Sequence, residues 1–227
     1  PNYIVKSALN MELIWCPPGS FIRGANNEKH FVILTKGFYL GKYEVTQEEH
    51  KKIMGNNPSN FKGAKLPVEM VSWNDAVAFC ETLNAKERIP QNWKFTLPSD
   101  AEWEYACRAG TTTLYSWGNS INASLTNYNG SGLNKTVVVG SYQPNRWGFF
   151  DLHGNVGEWC IDLFKQNLPL DIQLDPVVFP VNGLNRVGRG GAWNSPENIL
   201  RSGNRTRALK SNRHFYRGFR LCLAPAR

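Results

Sequence analysis

The sequence is poor in charged residues and lacks the patterns that mark common membrane and metal sites. Only 19% of its 227 residues are charged. No apolar run is long enough for a transmembrane helix, and no signal peptide is visible. The histidines form no His-x-x-x-His pair; they are His30, His50, His153 and His214. These absences argue against an integral membrane protein and against a histidine-ligated iron centre.

Cysteine is scarce and widely spaced. There is no Cys-x-x-Cys pair among the five cysteines, which are Cys16, Cys80, Cys107, Cys160 and Cys222. Because the number is odd, at least one of them is free or bonded between chains. Cys80 and Cys107 fall on predicted helices, where a free cysteine behaves as a small hydrophobe. Cysteine usage therefore leaves the cellular compartment open.

Aromatic and turn-forming residues are abundant instead. Hydrophobic residues make up 41% of the chain and include 12 Phe, 8 Trp and 8 Tyr, which indicates a sizeable core. The 20 Gly and 13 Pro indicate many turns. The length fits one large domain or two small ones. Since the chain starts at Pro1 without a methionine, it is interpreted as a processed protein or a domain excised from a longer one.

The chain is basic, with a formal net charge of +8 and a pI of about 9.3. Such a charge suits either a soluble basic surface or an anionic partner such as phosphate, nucleic acid, an acidic glycan or a membrane surface. No recognised nucleic-acid-binding motif accompanies the arginines of the last quarter, so we expect no specific nucleic-acid partner. The favoured partners are a protein, a peptide or an anionic ligand.

Three helices are predicted from capping patterns and apolar spacing. A capping box at Thr46-Gln47-Glu48-Glu49 begins a helix that runs to about Met54. Ser72 is expected to cap a second helix that ends near Arg88. Another capping box, Ser99 with Glu102, begins a third helix that ends near Arg108. Glu102 and Glu104 point to different faces of this helix, which predicts capping and surface roles rather than a catalytic pair.

The central stretch of the chain, residues 147–159, is too polar for a core strand and too rich in glycine for a helix. Asp151 and Glu158 frame Gly154, Asn155 and Val156. Two carboxylates with backbone carbonyls between them can wrap a hard cation. The alternative is a buried turn whose carboxylates accept hydrogen bonds from backbone amides.

The residues Asp151–Trp159 resemble the signature of the sulfatase-modifying-factor family, whose founding members are the formylglycine-generating enzymes. Four further segments, at residues 43–47, 97–108, 189–193 and 218–221, resemble family motifs in the same order. The resemblance covers nearly the whole chain and implies a single domain over residues 1–227. It also implies an α+β fold, the glycine-rich variant of the C-type-lectin fold. This fold has little regular secondary structure, with a few helices packed around short twisted antiparallel sheets.

The resemblance does not extend to the copper site of the formylglycine-generating enzymes. Those enzymes bind copper through two cysteines five residues apart, and the matching positions here are Ser195 and Leu200. The serine of the neighbouring family motif is Ala192 in this chain, and the active-site tryptophan of the central signature is Gly157. These departures argue against copper and against an oxidase mechanism, so no catalytic residue is assigned.

The resemblance does imply a structural calcium site. Its ligands carry over to Asp151, the Gly154 carbonyl, the Val156 carbonyl and Glu158. A second, weaker calcium site carries over to Asn127 and to the carbonyls of Tyr128 and Leu133, with Ser131 where the family has aspartate. In the family, a cysteine matching Cys107 can bond to one near the C-terminus, but Cys222 lies one residue beyond the expected position.

A ligand surface is predicted where the copper centre would lie. It comprises Trp193, Asn194, Ser195, Asn198, Arg201, Arg205 and Arg207, whose aromatic, amide and guanidinium groups suit an anionic or peptide ligand. The alternative interpretation places Trp193 in the core and pairs the arginines with carboxylates such as Asp151, Asp162 and Glu197.

Two functions follow as hypotheses. The first is a non-catalytic binding or regulatory domain, which the resemblance associates with bacterial Ser/Thr kinases and cell-surface proteins, in the cytoplasm or at the cell surface. The second is an oxidoreductase that uses different residues in the same cleft.

Overall fold

The computed structural model describes residues 4–6, 10–179 and 183–226; Pro1 therefore lies outside the described residues. These residues contain three α-helices, which begin at the predicted caps Thr46, Ser72 and Ser99, each within a capping box. They are α1 (Gln47–Met54), α2 (Trp73–Lys86) and α3 (Asp100–Arg108). Three short 3-10 helices cover Asn26–Glu28, Asn129–Ser131 and Glu197–Leu200. No helix in the described part of the chain has the length and apolar character needed to cross a membrane.

Twelve short strands complete the described secondary structure. They are β1 (Ile4–Lys6), β2 (Glu12–Cys16), β3 (Gly19–Arg23), β4 (His30–Leu34), β5 (Phe38–Gly41), β6 (Trp93–Thr96), β7 (Gly157–Leu163), β8 (Gln173–Leu174), β9 (Asn185–Arg189), β10 (Thr206–Leu209), β11 (Arg217–Gly218) and β12 (Cys222–Pro225).

The strands form three sheets with non-sequential order. One sheet has the order β1-β2-β5-β12-β6, a second β10-β9-β7-β11, and a third β3-β4-β8. Only the β11–β7 and β4–β8 pairs in the described part of the chain are parallel. The predicted α+β fold with short, mainly antiparallel sheets is therefore confirmed. Because β12 lies between β5 and β6, the C-terminal strand is an interior strand of the sheet to which the N-terminal strands β1 and β2 also belong.

Helix α3 is enclosed on every side, since all nine of its residues are buried. The prediction of a surface role for Glu104 is therefore wrong. Its carboxylate lies 2.8 Å from both Arg108 Nη2 and Arg189 Nη2. Glu102 does cap the helix, because its side chain accepts the Ser99 amide at 2.8 Å. A helix that is packed on every side must pair its interior charges, and sequence spacing alone did not show that it is surrounded.

The N-terminus of α3 gathers arginines from distant elements. Asp100 pairs with Arg23 of β3 at 2.5 Å and with Arg205 at 2.7 Å, and it also contacts Arg189 of β9. Burial raises the pKa of Asp100, but the three guanidiniums outweigh it and hold this pKa well below the usual range. The predicted pairing of arginines with carboxylates thus occurs for Arg205, with Asp100 as its partner.

All five cysteines are buried, and none of them forms a disulfide. The disulfide implied by the family resemblance is absent because the two sulfurs face different neighbours. Cys107 Sγ lies 3.5 Å from His153 Nε2, whereas Cys222 Sγ lies 4.0 Å from the Glu102 carboxylate. His153 is buried and packs against the rings of Tyr115 and Trp117. Burial lowers the pKa of His153 to about 4, so the ring is neutral and serves packing and hydrogen bonding.

Candidate functional site: a carboxylate cluster, an aromatic patch and an arginine cleft

The loop that precedes β7 folds tightly through left-handed backbone conformations. Asp151 and Asn155 have φ angles of 57°, and Gly154 has a φ of 91°. Gly154 lies directly against the backbone at Asn127, so that a Cβ at position 154 would be 2.2 Å from the Asn127 carbonyl oxygen. The Asn155 amide also donates to this carbonyl at 2.9 Å. The two segments that were predicted to bind calcium are therefore in direct contact.

Glu158 forms an ion pair with Arg220 in the interior, and neither side chain is exposed. Arg220 Nε donates to Glu158 Oε2 and Arg220 Nη2 to Oε1, each at 2.6 Å. The Trp103 indole also donates to Oε2 at 2.6 Å. The remaining Arg220 nitrogen, Nη1, donates to the Gly41 carbonyl at 3.0 Å. Arg220 thereby links Glu158 to the C-terminal end of β5.

Glu44 is a third buried carboxylate at this place, and its role was not predicted from the sequence. It accepts hydrogen bonds from the Asn155 side chain at 2.7 Å and from the Val156 amide at 3.1 Å. We call Glu44, Asp151, Glu158 and Arg220 the carboxylate cluster. Glu44 lies in one of the recognised motifs, but it is more than 100 residues away from the loop that it supports, so no local pattern linked them.

Negative charge exceeds positive charge in the carboxylate cluster. Burial, together with the charges of Asp151 and Glu158, raises the pKa of Glu44 well above its usual range. Burial and the charge of Glu158 raise the pKa of Asp151 to about 6, although the Gly140 amide and Arg220 oppose this shift. Three carboxylates therefore share one guanidinium, and an additional cation or a proton would relieve their repulsion.

The ligand types of the cluster suit calcium, which prefers oxygen atoms. However, both oxygens of Glu158 already bind Arg220, so an ion would depend mainly on Asp151 and on the Gly154 and Val156 carbonyls. Among the described residues, no group of three or more His, Cys, Asp and Glu side chains is arranged to hold a metal. The residues thus fit calcium in charge and in atom type, with Glu158 shared with Arg220.

The second predicted calcium site is occupied by hydrogen bonds within its own loop. The Ser131 hydroxyl lies 3.0 Å from Asn127 Oδ1 and 2.7 Å from the Tyr128 carbonyl oxygen. The Ser131 amide also donates to this carbonyl at 2.9 Å. Leu133 is exposed. Serine thus stands among the oxygens that would bind an ion, and the residues do not fit a second calcium.

Trp193 belongs to a group of surface aromatic rings rather than to the core. Its ring lies 5.7 Å from that of Phe61 and 5.8 Å from that of Phe215, measured between centroids. Phe215 is 42% exposed, and Trp193 and Phe61 are half-buried. We call these three residues the aromatic patch. Asn194 is exposed beside the aromatic patch. Phe61 and Phe215 were not predicted from the sequence to belong to a ligand surface.

The predicted ligand residues further along the chain line a different feature. Asn198, Arg201 and Arg205 line a cleft of about 500 Å³ together with Asn26, Asn27, Glu28, Phe164 and Gln166, among others. We call it the arginine cleft. Arg207 is exposed and is not among its lining residues, although its guanidinium lies 5.5 Å from the Phe164 ring centre. Of the seven predicted residues, Trp193 and Asn194 thus lie at the aromatic patch, and Asn198, Arg201 and Arg205 line the arginine cleft. Ser195 and Arg207 belong to neither feature.

Comparison with known proteins identifies the family. The description "Sulfatase-modifying factor enzyme 1-like domain" belongs to a family model that matches residues 5–225. The chain belongs to the sulfatase-modifying factor family. The resemblance found in the sequence motifs is thereby confirmed, and it extends over almost all of the chain.

The known proteins that are similar to the chain differ in length. The chaperone protein LppX of Paenibacillus barcinonensis is 30% identical, with 85% of this chain and 82% of LppX covered. The serine/threonine-protein kinase Pkn1 of Chlamydia trachomatis serovar L2 is 34% identical over 90% of this chain, which spans only 37% of Pkn1. The solved structure of Treponema denticola variable protein 1 has a TM-score of 0.87 and 28% identity, with 99% of each chain covered.

Ser195 and Leu200 are the positions that the sequence resemblance matches to the two copper-binding cysteines of the formylglycine-generating enzymes. The Ser195 hydroxyl accepts the Ala192 amide at 3.0 Å and thereby closes a turn. Leu200 is fully buried and lies against Gly191. Neither side chain is a soft ligand for copper. The five cysteines of the chain lie at other positions, and all of them are buried.

Proposed function

We propose that the chain is a non-catalytic ligand-binding domain of the sulfatase-modifying factor family. The observation that carries this proposal is the replacement of the copper-binding cysteines by Ser195, which closes a turn, and Leu200, which fills the core. Both side chains have a structural role in the fold, and neither offers the thiolate that binds copper in the oxidase.

The aromatic patch is the proposed contact surface for a protein or peptide ligand. Exposed aromatic side chains next to polar ones are typical of binding hot spots. A shallow groove of about 460 Å³ adjoins the patch, lined by Phe61, Leu66, Val138 and the two lysines Lys62 and Lys135. Apolar contacts flanked by lysine ammonium groups favour a peptide that carries both apolar and acidic side chains.

Two similar proteins support a role in which the domain acts on, or together with, another protein. Pkn1 is named as a serine/threonine-protein kinase, and this chain spans 37% of its length. LppX, which this chain spans for 82% of its length, is named as a chaperone protein. We therefore propose that the domain recognises a protein or peptide, either fused to a bacterial kinase or as a separate binding protein.

The test is a peptide-display selection against the purified domain. We expect enriched peptides to bind at least tenfold more weakly to a Phe215→Ala variant, since exposed hot-spot aromatics commonly contribute more than about 1.4 kcal/mol. A matched control is Phe179→Ala, because Phe179 is also exposed, at 56%, but lies outside the patch. Peptides that bind both variants as well as the original chain would contradict the proposed surface. Oxidation of a cysteine-containing sulfatase peptide to formylglycine would contradict the non-catalytic role.

We also propose that calcium is a structural ligand of the loop at Asp151. Elemental analysis after incubation with calcium and copper, followed by desalting, is expected to find about one calcium per chain and no retained copper. Asp151→Ala should abolish calcium retention, whereas Asp171→Ala, at an exposed position, should not. Absence of calcium would mean that Arg220 alone neutralises the loop, and tightly held copper would refute the loss of the copper site.

A further inference from the structure

The arginine cleft is a second candidate binding site, separate from the aromatic patch. Its walls come from the loop after β3, from the segment after β7 and from the last 3-10 helix and the turn that follows it. A volume of about 500 Å³ is within the range of small-molecule sites, roughly 300–1,000 Å³. Ala25 and Phe164 are its apolar lining residues besides Gly203, so the cleft is built for a polar ligand.

Arg205 brings positive charge to the cleft that its carboxylate partner does not neutralise. Asp100 already pairs with Arg23 and Arg189 in addition to Arg205. Arg205 is fixed by Asp100 at 2.7 Å and by the Lys165 carbonyl at 2.8 Å. Its Nη2 is buried and, among the described residues, finds no hydrogen-bond acceptor. The same is true of Arg201 Nε, and a buried donor without an acceptor is costly.

The rest of the lining consists largely of carboxamides. Four exposed carboxamide side chains line the cleft, namely Asn26, Asn27, Gln166 and Asn198. Glu28 is the single acidic lining residue. A carboxamide offers both a donor and an acceptor, which is what a sugar hydroxyl requires. The arrangement therefore combines guanidinium groups for an oxyanion with several amides for hydroxyls.

The one aromatic ring of the lining is not available for a nucleobase. Arg205 lies 4.9 Å and Arg207 5.5 Å from the Phe164 ring centre, measured from the guanidinium carbon. The two guanidiniums thus already contact this ring, and stacking on an aromatic ring is the main means by which a base is held without base pairing. A nucleotide is therefore disfavoured relative to a hydroxyl-rich anion.

We propose that the arginine cleft binds an acidic saccharide, with Arg201 facing its carboxylate, Arg205 adding positive charge behind it, and the amides facing its hydroxyl groups. This site is independent of the peptide surface proposed above. Because Arg205 is committed to Asp100, Arg201 is the residue whose loss should affect binding without opening the interior. Asn198, which is exposed on the same 3-10 helix that precedes Arg201, provides a second variant.

The test is titration calorimetry with trigalacturonic acid, with neutral galactotriose and sodium sulfate as comparison ligands. Saturable binding of trigalacturonic acid is expected, and it should weaken about tenfold in Arg201→Gln, since a charge-assisted hydrogen bond is lost. Asn198→Ala should also weaken it. Arg146→Gln removes the same charge at an exposed position outside the cleft and should leave binding unchanged.

Several results would overturn the proposal. No binding of trigalacturonic acid, or equal binding of galactotriose, would exclude recognition of an acidic saccharide. Equally tight binding of sulfate would reduce the site to a simple anion site. An equal loss in Arg146→Gln would show that overall charge, not the cleft, governs binding. Should Arg201→Gln fail to fold, unchanged binding in Asn198→Ala would still refute the site. Loss of peptide binding in Phe215→Ala bears only on the aromatic patch.

Discussion

Replacing Arg220 with methionine is expected to lower the free energy of unfolding by about 3–5 kcal/mol, the usual cost of removing one partner of a buried ion pair. Methionine fills similar space but supplies no charge. Glu158, Asp151 and Glu44 would then repel one another in the interior without a guanidinium between them. The Gly41 and Phe150 carbonyls, which accept hydrogen bonds from Arg220 at 3.0 and 2.9 Å, would also lose their donor. Urea denaturation at pH 7 measures the change.

Arg213→Met is the matched control for this experiment. Arg213 also binds a carboxylate with two hydrogen bonds, to Asp75 at 2.8 Å each, but its side chain is 53% exposed. Water screens this pair, so a loss of no more than about 1 kcal/mol is expected. Similar losses in the two variants would show that the carboxylate cluster is not a stabilising unit. Full stability of Arg220→Met at pH 7 would lead to the same conclusion about the carboxylate cluster.

Gly154→Ala is expected to destabilise the fold by about 3 kcal/mol or more, from a left-handed backbone and a steric clash together. Gly154 has a φ of 91°, and the added Cβ would meet the Asn127 carbonyl oxygen at 2.2 Å and Thr126 Oγ1 at 2.6 Å. The carbonyl belongs to the backbone and cannot rotate away. Separation of the two loops would also break the hydrogen bond from the Asn155 amide to Asn127.

Gly55→Ala separates the steric effect from the conformational one. Gly55 ends helix α1 with a φ of 81°, and a Cβ there would have no atom within 4 Å. Only the left-handed conformation opposes alanine at this position, so a loss of about 1 kcal/mol is expected. Thermal unfolding of both variants gives the comparison. Equal shifts in melting temperature would mean that the Asn127 backbone moves away at little cost, which would contradict its close packing against Gly154.

Features that depend on neighbouring residues were predictable from the sequence. The starts of α1, α2 and α3 follow from side chains that bond to amides within the same turn, as in Thr46 with Glu49. The turn-rich character of the second half follows from its glycines in the same way. The family motifs added the correct fold class, because they preserve the spacing between such local signals over the whole chain.

Features that depend on distant residues were not predictable in this way. Glu104 has the spacing of a surface residue, but α3 is enclosed by elements that are far away along the chain. The Glu44 carboxylate accepts a hydrogen bond from the Val156 amide, which is 112 residues away along the chain. Phe61 and Phe215 lie more than 150 residues apart, yet both contact Trp193. Periodicity reports which face of an element is apolar, but it does not report which other element covers that face.

The five cysteines are buried, which shields their thiols from disulfide exchange. Burial raises the pKa of the Cys107 thiol to about 12 and raises those of Cys16 and Cys160 well above the usual range. Because the thiolate is the reactive form, such thiols exchange slowly with glutathione or disulfides. The described part of the chain contains no cross-link that a reducing environment could break. Reducing agents should therefore leave the melting temperature of the chain unchanged, in contrast to a fold that depends on a disulfide.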